Sequence, residues 1–201
     1  MSKPDTRSSR TKLLLIFALF LAPPLSAWFA WQYMGTSGVD TTTNAGTLVT
    51  PARPLEVVGL QQVDGQPIGD RELRGHWTYV VFARGGCDER CEKQLYLTRQ
   101  IRLAMNKDIP RVQRLLVLDA PPSKEVASQL SGAHEDLLLG VRGDDAAPLL
   151  QRFEGDGFSA DGVQYFLVDP LGNLMMFYDL DVPAKGMIRD LQKLLKISQI
   201  G

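Results

Sequence analysis

The chain's only two cysteines, Cys87 and Cys91, lie four residues apart in VVFARGGCDERCEKQLYL. Two cysteines placed at random in a chain of this length would fall at that spacing about once in a hundred placements, so the spacing is informative. A helix beginning at Cys91, with Cys87 on its N-terminal turn, puts both sulfurs on one face at a separation a disulfide bridges. The dipole and unpaired N–H groups of a helix N-terminus also favour thiolate over thiol. Two chemistries follow: thiol/disulfide exchange, or capture of a soft ion such as Cu(I) by two thiolates. A static local bridge is the plain alternative, but so short a ring adds little entropy-based stability. A strand-to-helix turn is where redox and metal dithiols sit, and the functional dithiol is the favoured reading.

Other ligand types are sparse. His76 precedes the strand that leads to Cys87, and His134 sits in the polar stretch Gly132-Ala133-His134-Glu135; both are expected to be solvated. Met175 and Met176 are neighbours on an expected strand, where alternation makes at least one of them core. Asp88, Glu89, Arg90, Glu92 and Lys93 read as an exposed helix face that decides which partner approaches the dithiol. A net charge of −1 gives no basic surface for phosphate, so a nucleic-acid partner is set aside.

Positioning the dithiol requires a sheet. Trp77 to Ala83, WTYVVFA, is apolar enough for a central strand, and the segment 88 to 106 carries helix formers up to the boundary at Pro110. Leu55 to Leu60 reads as a short strand, and Val63-Asp64-Gly65-Gln66-Pro67 supplies hairpin turn chemistry. Strands follow at Val112 to Leu118 and Leu137 to Val141, with a helix capped by Ser123 between them and a short helix at Ala146 to Phe153 after them. Val163 to Val168, the turn at Asp169 to Asn173 and Leu174 to Tyr178 form a hairpin, and Lys185 to Ile197 closes the domain as an amphipathic helix. The expectation is an α/β domain over residues 54–201, a mixed sheet flanked by helices in the thioredoxin order.

Ahead of it lies LLLIFALFLAPPLSAWFAWQY, Leu13 to Tyr33, with no charged side chain before Asp40. That stretch is long enough to span a bilayer as a helix, with Pro23 and Pro24 as a local defect and Trp28, Trp31 and Tyr33 as interfacial aromatics. The expected plan is a basic tail over 1–12, a transmembrane helix over 13–34 and a flexible Gly/Thr/Ser-rich linker over 35–53. A signal peptide cleaved after Ala27 is the alternative, disfavoured because the apolar run continues through Trp31. Lys3, Arg7, Arg10 and Lys12 place the N-terminus in the cytoplasm and the domain outside, anchored in the cytoplasmic membrane.

Leu73-Arg74-Gly75-His76-Trp77, the strand to Ala83, Cys87-x-x-x-Cys91, Gly140-Val141-Arg142-Gly143 and Tyr165-Phe166-Leu167-Val168-Asp169-Pro170-Leu171-Gly172-Asn173 together resemble the SCO family of cytochrome c oxidase assembly proteins. The resemblance covers about residues 54 to 198, and it implies a thioredoxin-like fold. It also implies a role in oxidase biogenesis on an oxidase subunit or a copper chaperone, and a copper site that includes Cys87 and Cys91. Two positions depart from the family. Asp161 stands where the family has its copper-binding histidine, eight residues before Asp169, and carboxylate is a poor Cu(I) ligand. Glu92 stands where the family usually has proline. Val163 occupies the place of the thioredoxin cis-proline, which disfavours a general disulfide reductase. Three readings remain open: thiol/disulfide exchange in oxidase assembly, a non-catalytic scaffold with a static bridge, and Cu(I) delivery with Asp161 or a partner completing the site.

Overall fold

The computed structural model describes residues 6–36 and 43–200. The chain divides between Thr43 and Asn44 into two units, taken here separately. The first is α1 (Thr6–Thr36), whose segment Arg10–Tyr33 has a mean hydropathy of 2.1 and no buried residue, so by length and composition it can cross a membrane. Pro23 and Pro24 are accommodated within it.

The second unit is one eight-stranded mixed sheet. Its strands are β1 (Thr47–Pro54), β2 (Leu60–Gln62), β3 (Pro67–Ile68), β4 (Trp77–Ala83), β5 (Val112–Leu118), β6 (Leu137–Arg142), β7 (Gln164–Val168) and β8 (Asn173–Asp179), in the order β1-β8-β7-β4-β5-β6-β2-β3. Strands β4, β5 and β6 are parallel, and the β7–β8 hairpin joins β4 antiparallel. All seven residues of β4 are buried, as a strand with neighbours on both edges and helices or loops on both faces demands. The helices are α2 (Asp70–Leu73), α3 (Glu89–Leu103), α4 (Lys124–Ala133), α5 (Ala147–Arg152) and α6 (Ala184–Ile197), with a 3-10 turn over Asn106–Arg111. Ser123 caps α4 by accepting the Val126 N–H at 3.3 Å, as its position predicts.

The expected linker is shorter than its composition suggests. Residues 47–54 form edge strand β1, paired with β8 through a register shift between Leu48 and Arg53, and the compact unit starts at Asn44 rather than Pro54. Only Val49 of β1 is buried, so Thr and Pro are tolerated on an edge that sends one side chain into the core. The entry of this strand is fixed by a buried carboxylate: Asp190 Oδ2 accepts the N–H groups of Ala45 at 2.7 Å and Gly46 at 3.0 Å. Gly46 is required there, since a Cβ would come within 2.5 Å of the Tyr178 ring. Residues 37–42 of the expected linker lie outside the described residues.

The expected strand at Leu55 to Leu60 is a loop until Leu60. Leu55 and Leu60 are buried, but the backbone between them turns away from the sheet: Leu55 N–H donates to Gly172 O and Val57 N–H to Asp70 Oδ1. An apolar run here marks packing under a loop rather than strand pairing.

Candidate dithiol site

The site grows from the C-terminal end of β4. The chain leaves Ala83 through Gly85 and Gly86, both at positive φ (66° and 102°), which side-chain-bearing residues rarely adopt. Asp119, at the end of the neighbouring β5, braces this turn: its Oδ1 accepts the Gly85 N–H at 2.9 Å and its own N–H donates to Ala83 O. Asp88 then caps α3, with Oδ1 accepting the Cys91 N–H at 2.9 Å. Helix α3 therefore starts two residues before Cys91, and Cys87 lies just ahead of the cap.

Cys87 and Cys91 are joined in a disulfide with Cα atoms 5.2 Å apart. Cys91 is 2% exposed, whereas Cys87 is half-buried, so the two residues differ in access. The charged residues around them face solvent as expected; Arg90 pairs with Asp88, and Lys93 with Glu89 at 2.8 Å. The hydrogen bond to Lys93 and its charge hold the Glu89 carboxyl below its ordinary value and push the Lys93 ammonium up.

A second loop closes on the same end of the sheet. Gly162 (φ 87°) passes so near β4 that a Cβ would lie 2.8 Å from Phe82 O. Asp161, beside it, is half-buried and accepts the Val163 N–H at 3.1 Å, so its carboxylate is engaged in an Asx turn of its own loop. Loop and helix are joined through amides: Gln94 Nε2 on α3 donates to Gln164 O at 3.1 Å, and Gln164 Nε2 donates to Gly157 O and Asp179 Oδ1.

The histidines are less solvated than their sequence context suggests. Both are half-buried, and the Nδ1 atoms of both are buried without a hydrogen-bond partner. For His134, burial and then the charges of Arg114 and Arg99 outweigh Asp136 and Glu92 and depress the imidazole pKa. Met176 is core and Met175 packs partly against it. Among the described residues, no group of three or more His, Cys, Asp or Glu side chains is arranged to hold a metal ion. The donor set at the dithiol is two sulfurs, which suit Cu(I) and are too few for a Cu(II) site. Asp119, Gln94 and Gln164 escaped the sequence reading, because each acts through a contact between residues distant in the chain.

Residues 77–198, from the first residue of β4 to just past α6, match the family described as transmembrane-like, thioredoxin-like, C-terminal domain. The chain belongs to this family. Solved structures agree with the thioredoxin-like fold. Yeast Sco1 with copper bound superposes with a TM-score of 0.57 at 17% identity, over 73% of this chain and 93% of that one. Apo Sco1 from Thermus thermophilus gives 0.58 at 22% identity, over 77% and 99%. BsSco, described with a disulfide switch as a member of the Sco family of cytochrome c oxidase assembly proteins, gives 0.54 at 14% identity, over 76% and 100%. At these identities the likeness is one of fold. No curated protein matches the chain. Within the thioredoxin-like domain, the dithiol thus stands at the N-terminus of the helix that follows the central strand.

Proposed function

We propose that this chain is a membrane-anchored, Sco-like thiol/disulfide protein that assists cytochrome c oxidase assembly, with Cys87 and Cys91 as its working dithiol. The observation that carries the reading is the Cys87–Cys91 pair itself, one residue half-buried and one buried, at the N-terminus of α3. Arg10–Tyr33 supports a single-pass anchor. The basic N-terminal flank supports a domain on the extracytoplasmic side, where such a disulfide persists. The client in this reading is an oxidase subunit or a copper chaperone that carries a disulfide.

In the reduced protein the Cys87 thiolate attacks a client disulfide; a mixed disulfide forms and the client's other sulfur leaves as thiolate. Cys91 then attacks Cys87, closing the intramolecular bond and releasing the client as a dithiol. Two electrons pass from this protein to the client, and the reverse sequence oxidises a client dithiol. Cys91→Ser should therefore trap a client on Cys87, and the double Cys87→Ser, Cys91→Ser strain should lose assembled oxidase activity although the protein accumulates. Wild-type oxidase activity in that strain, with normal protein levels, overturns the reading and leaves a static scaffold.

A further inference from the structure

Gln94 follows Cys91 by three residues on α3, a spacing that places both on one helix face. Both are buried, Gln94 with 1% exposure. The amide's orientation is fixed by its partner: Gln164 O can only accept, so the Gln94 NH2 must face it. Gln94 Oε1 is left buried with no hydrogen-bond partner. Thr98, one turn on, cannot serve it, because its hydroxyl is directed to Gln94 O and Leu95 O. Nor can Gln94 swing out without releasing Gln164, which is itself held by Gly157, Ser159 and Asp179.

A buried acceptor without a donor is costly. Neither sulfur of a disulfide carries a hydrogen, whereas each thiol carries one and is a weak donor. We propose that Gln94 is a positioning residue that biases the redox equilibrium: its Oε1 accepts the Cys91 S–H once the disulfide opens, stabilising the dithiol over the disulfide. In that step an external dithiol supplies two electrons and two protons. The Cys87–Cys91 bond breaks, two S–H groups form, and the reductant closes its own disulfide. The orphaned oxygen belongs to the oxidised side alone, so reduction relieves it. This inference rests on the thiol/disulfide reading above.

The test equilibrates the full-length protein in detergent with dithiothreitol redox buffers and counts free thiols by alkylation. Gln94→Leu removes the acceptor at similar volume, and the dithiol-to-disulfide ratio should fall about three- to tenfold, the worth of one net hydrogen bond. Gln94→Glu keeps an oxygen at the same reach and should stay within about twofold of wild type or move toward the dithiol. Gln94→Leu loses the bond to Gln164 O in either redox form, so that loss cancels in the ratio and shows only in thermal melting, whereas the carboxyl of Gln94→Glu keeps it when protonated. Infrared spectra of the reduced wild-type protein give a readout free of any variant's folding: one of the two S–H stretches should be shifted down by hydrogen bonding. An unchanged ratio in Gln94→Leu, an equal fall in both variants, or two S–H bands at the free-thiol position overturns the inference. No client or oxidase enters these measurements, so their failure is separate from failure of the double-cysteine test.

Discussion

The two faces of the sheet are built from different materials. The face that carries Cys91 is covered by α3, α4 and α6; its aromatic residues, Trp77, Tyr79, Tyr165 and Tyr178, all carry a polar atom, and it buries further polar side chains, Gln94 and Thr98 on α3, Arg114 on β5 and Asp190 on α6. Arg114, 1% exposed, is held by Asp136 through two hydrogen bonds of 2.9 and 2.6 Å and by Leu95 O. The aromatic residues of the opposite face are all phenylalanine. Phe82, Phe153 and Phe166 meet edge to face with ring centres 5.0 to 5.7 Å apart, and Phe158 extends the cluster to Phe177. Thr78 and Gln164 are the buried polar residues that alternation sends to that side. Buried polar groups fix helix positions through directional bonds, whereas packed rings supply burial without direction. The face next to the dithiol therefore has more directional bonds to specify geometry, and the phenylalanine face contributes through packing.

Phe166→Ala is the largest expected break in that comparison. It removes the ring at the centre of the cluster and should cost about 3–5 kcal/mol in urea unfolding. The dithiol equilibrium of the folded variant should stay within about twofold of wild type, because the cluster lies across the sheet from Cys91. A displaced equilibrium would show that the two faces do not divide the work. Asp190→Ala is the next in size. It leaves the N–H groups of Ala45 and Gly46 unpaired under Tyr178, at about 1–3 kcal/mol, partly offset by removing a buried charge. Hydrogen exchange should then rise first in β1, and uniform exchange across the sheet would contradict the role of Asp190 as the clasp of that strand.

The two faces were also unequally legible. Strands β4, β5 and β7 and helix α6 could be read because continuous apolar runs and a helical stripe are one-dimensional signals of burial. The dithiol could be read because two cysteines have one spacing. Strand β1 could not: its Thr and Pro speak for a linker, and its pairing depends on Gly46 fitting beneath Tyr178. Asp190 and Gln94 are polar residues in helices whose polar positions are mostly exposed, so their burial is a product of tertiary contact and leaves no mark on periodicity. The half-buried state of His134 escaped for the same reason, since Arg114 on β5 and Arg99 on α3, whose charges act on it, come from elements distant in the chain.

The smallest expected effect sharpens the comparison by pH, since the titrating groups near the core gather on the polar face. Burial disfavours a charged Asp136, but hydrogen bonding and attraction from Arg114, with Arg102, outweigh it and hold the carboxyl below the usual 3.8. Stability from this group is present above that value and is lost as pH falls through the lower folded value. His134 acts earlier. Its folded pKa lies below the ordinary 6.5, so as pH falls through 6.5 the unfolded chain takes up a proton that the folded chain resists, and stability declines. Urea midpoints followed from pH 7.5 to 3 should therefore drop in two stages, a shallow one starting near 6.5 and a steeper one below about 3.8. His134→Gln should flatten the first stage and leave the second, whereas Asp136→Asn should lower stability at neutral pH and weaken the second. An unaltered slope between pH 6.5 and 5 in His134→Gln would remove the imidazole from the account and leave the acid loss to the Asp136 carboxyl.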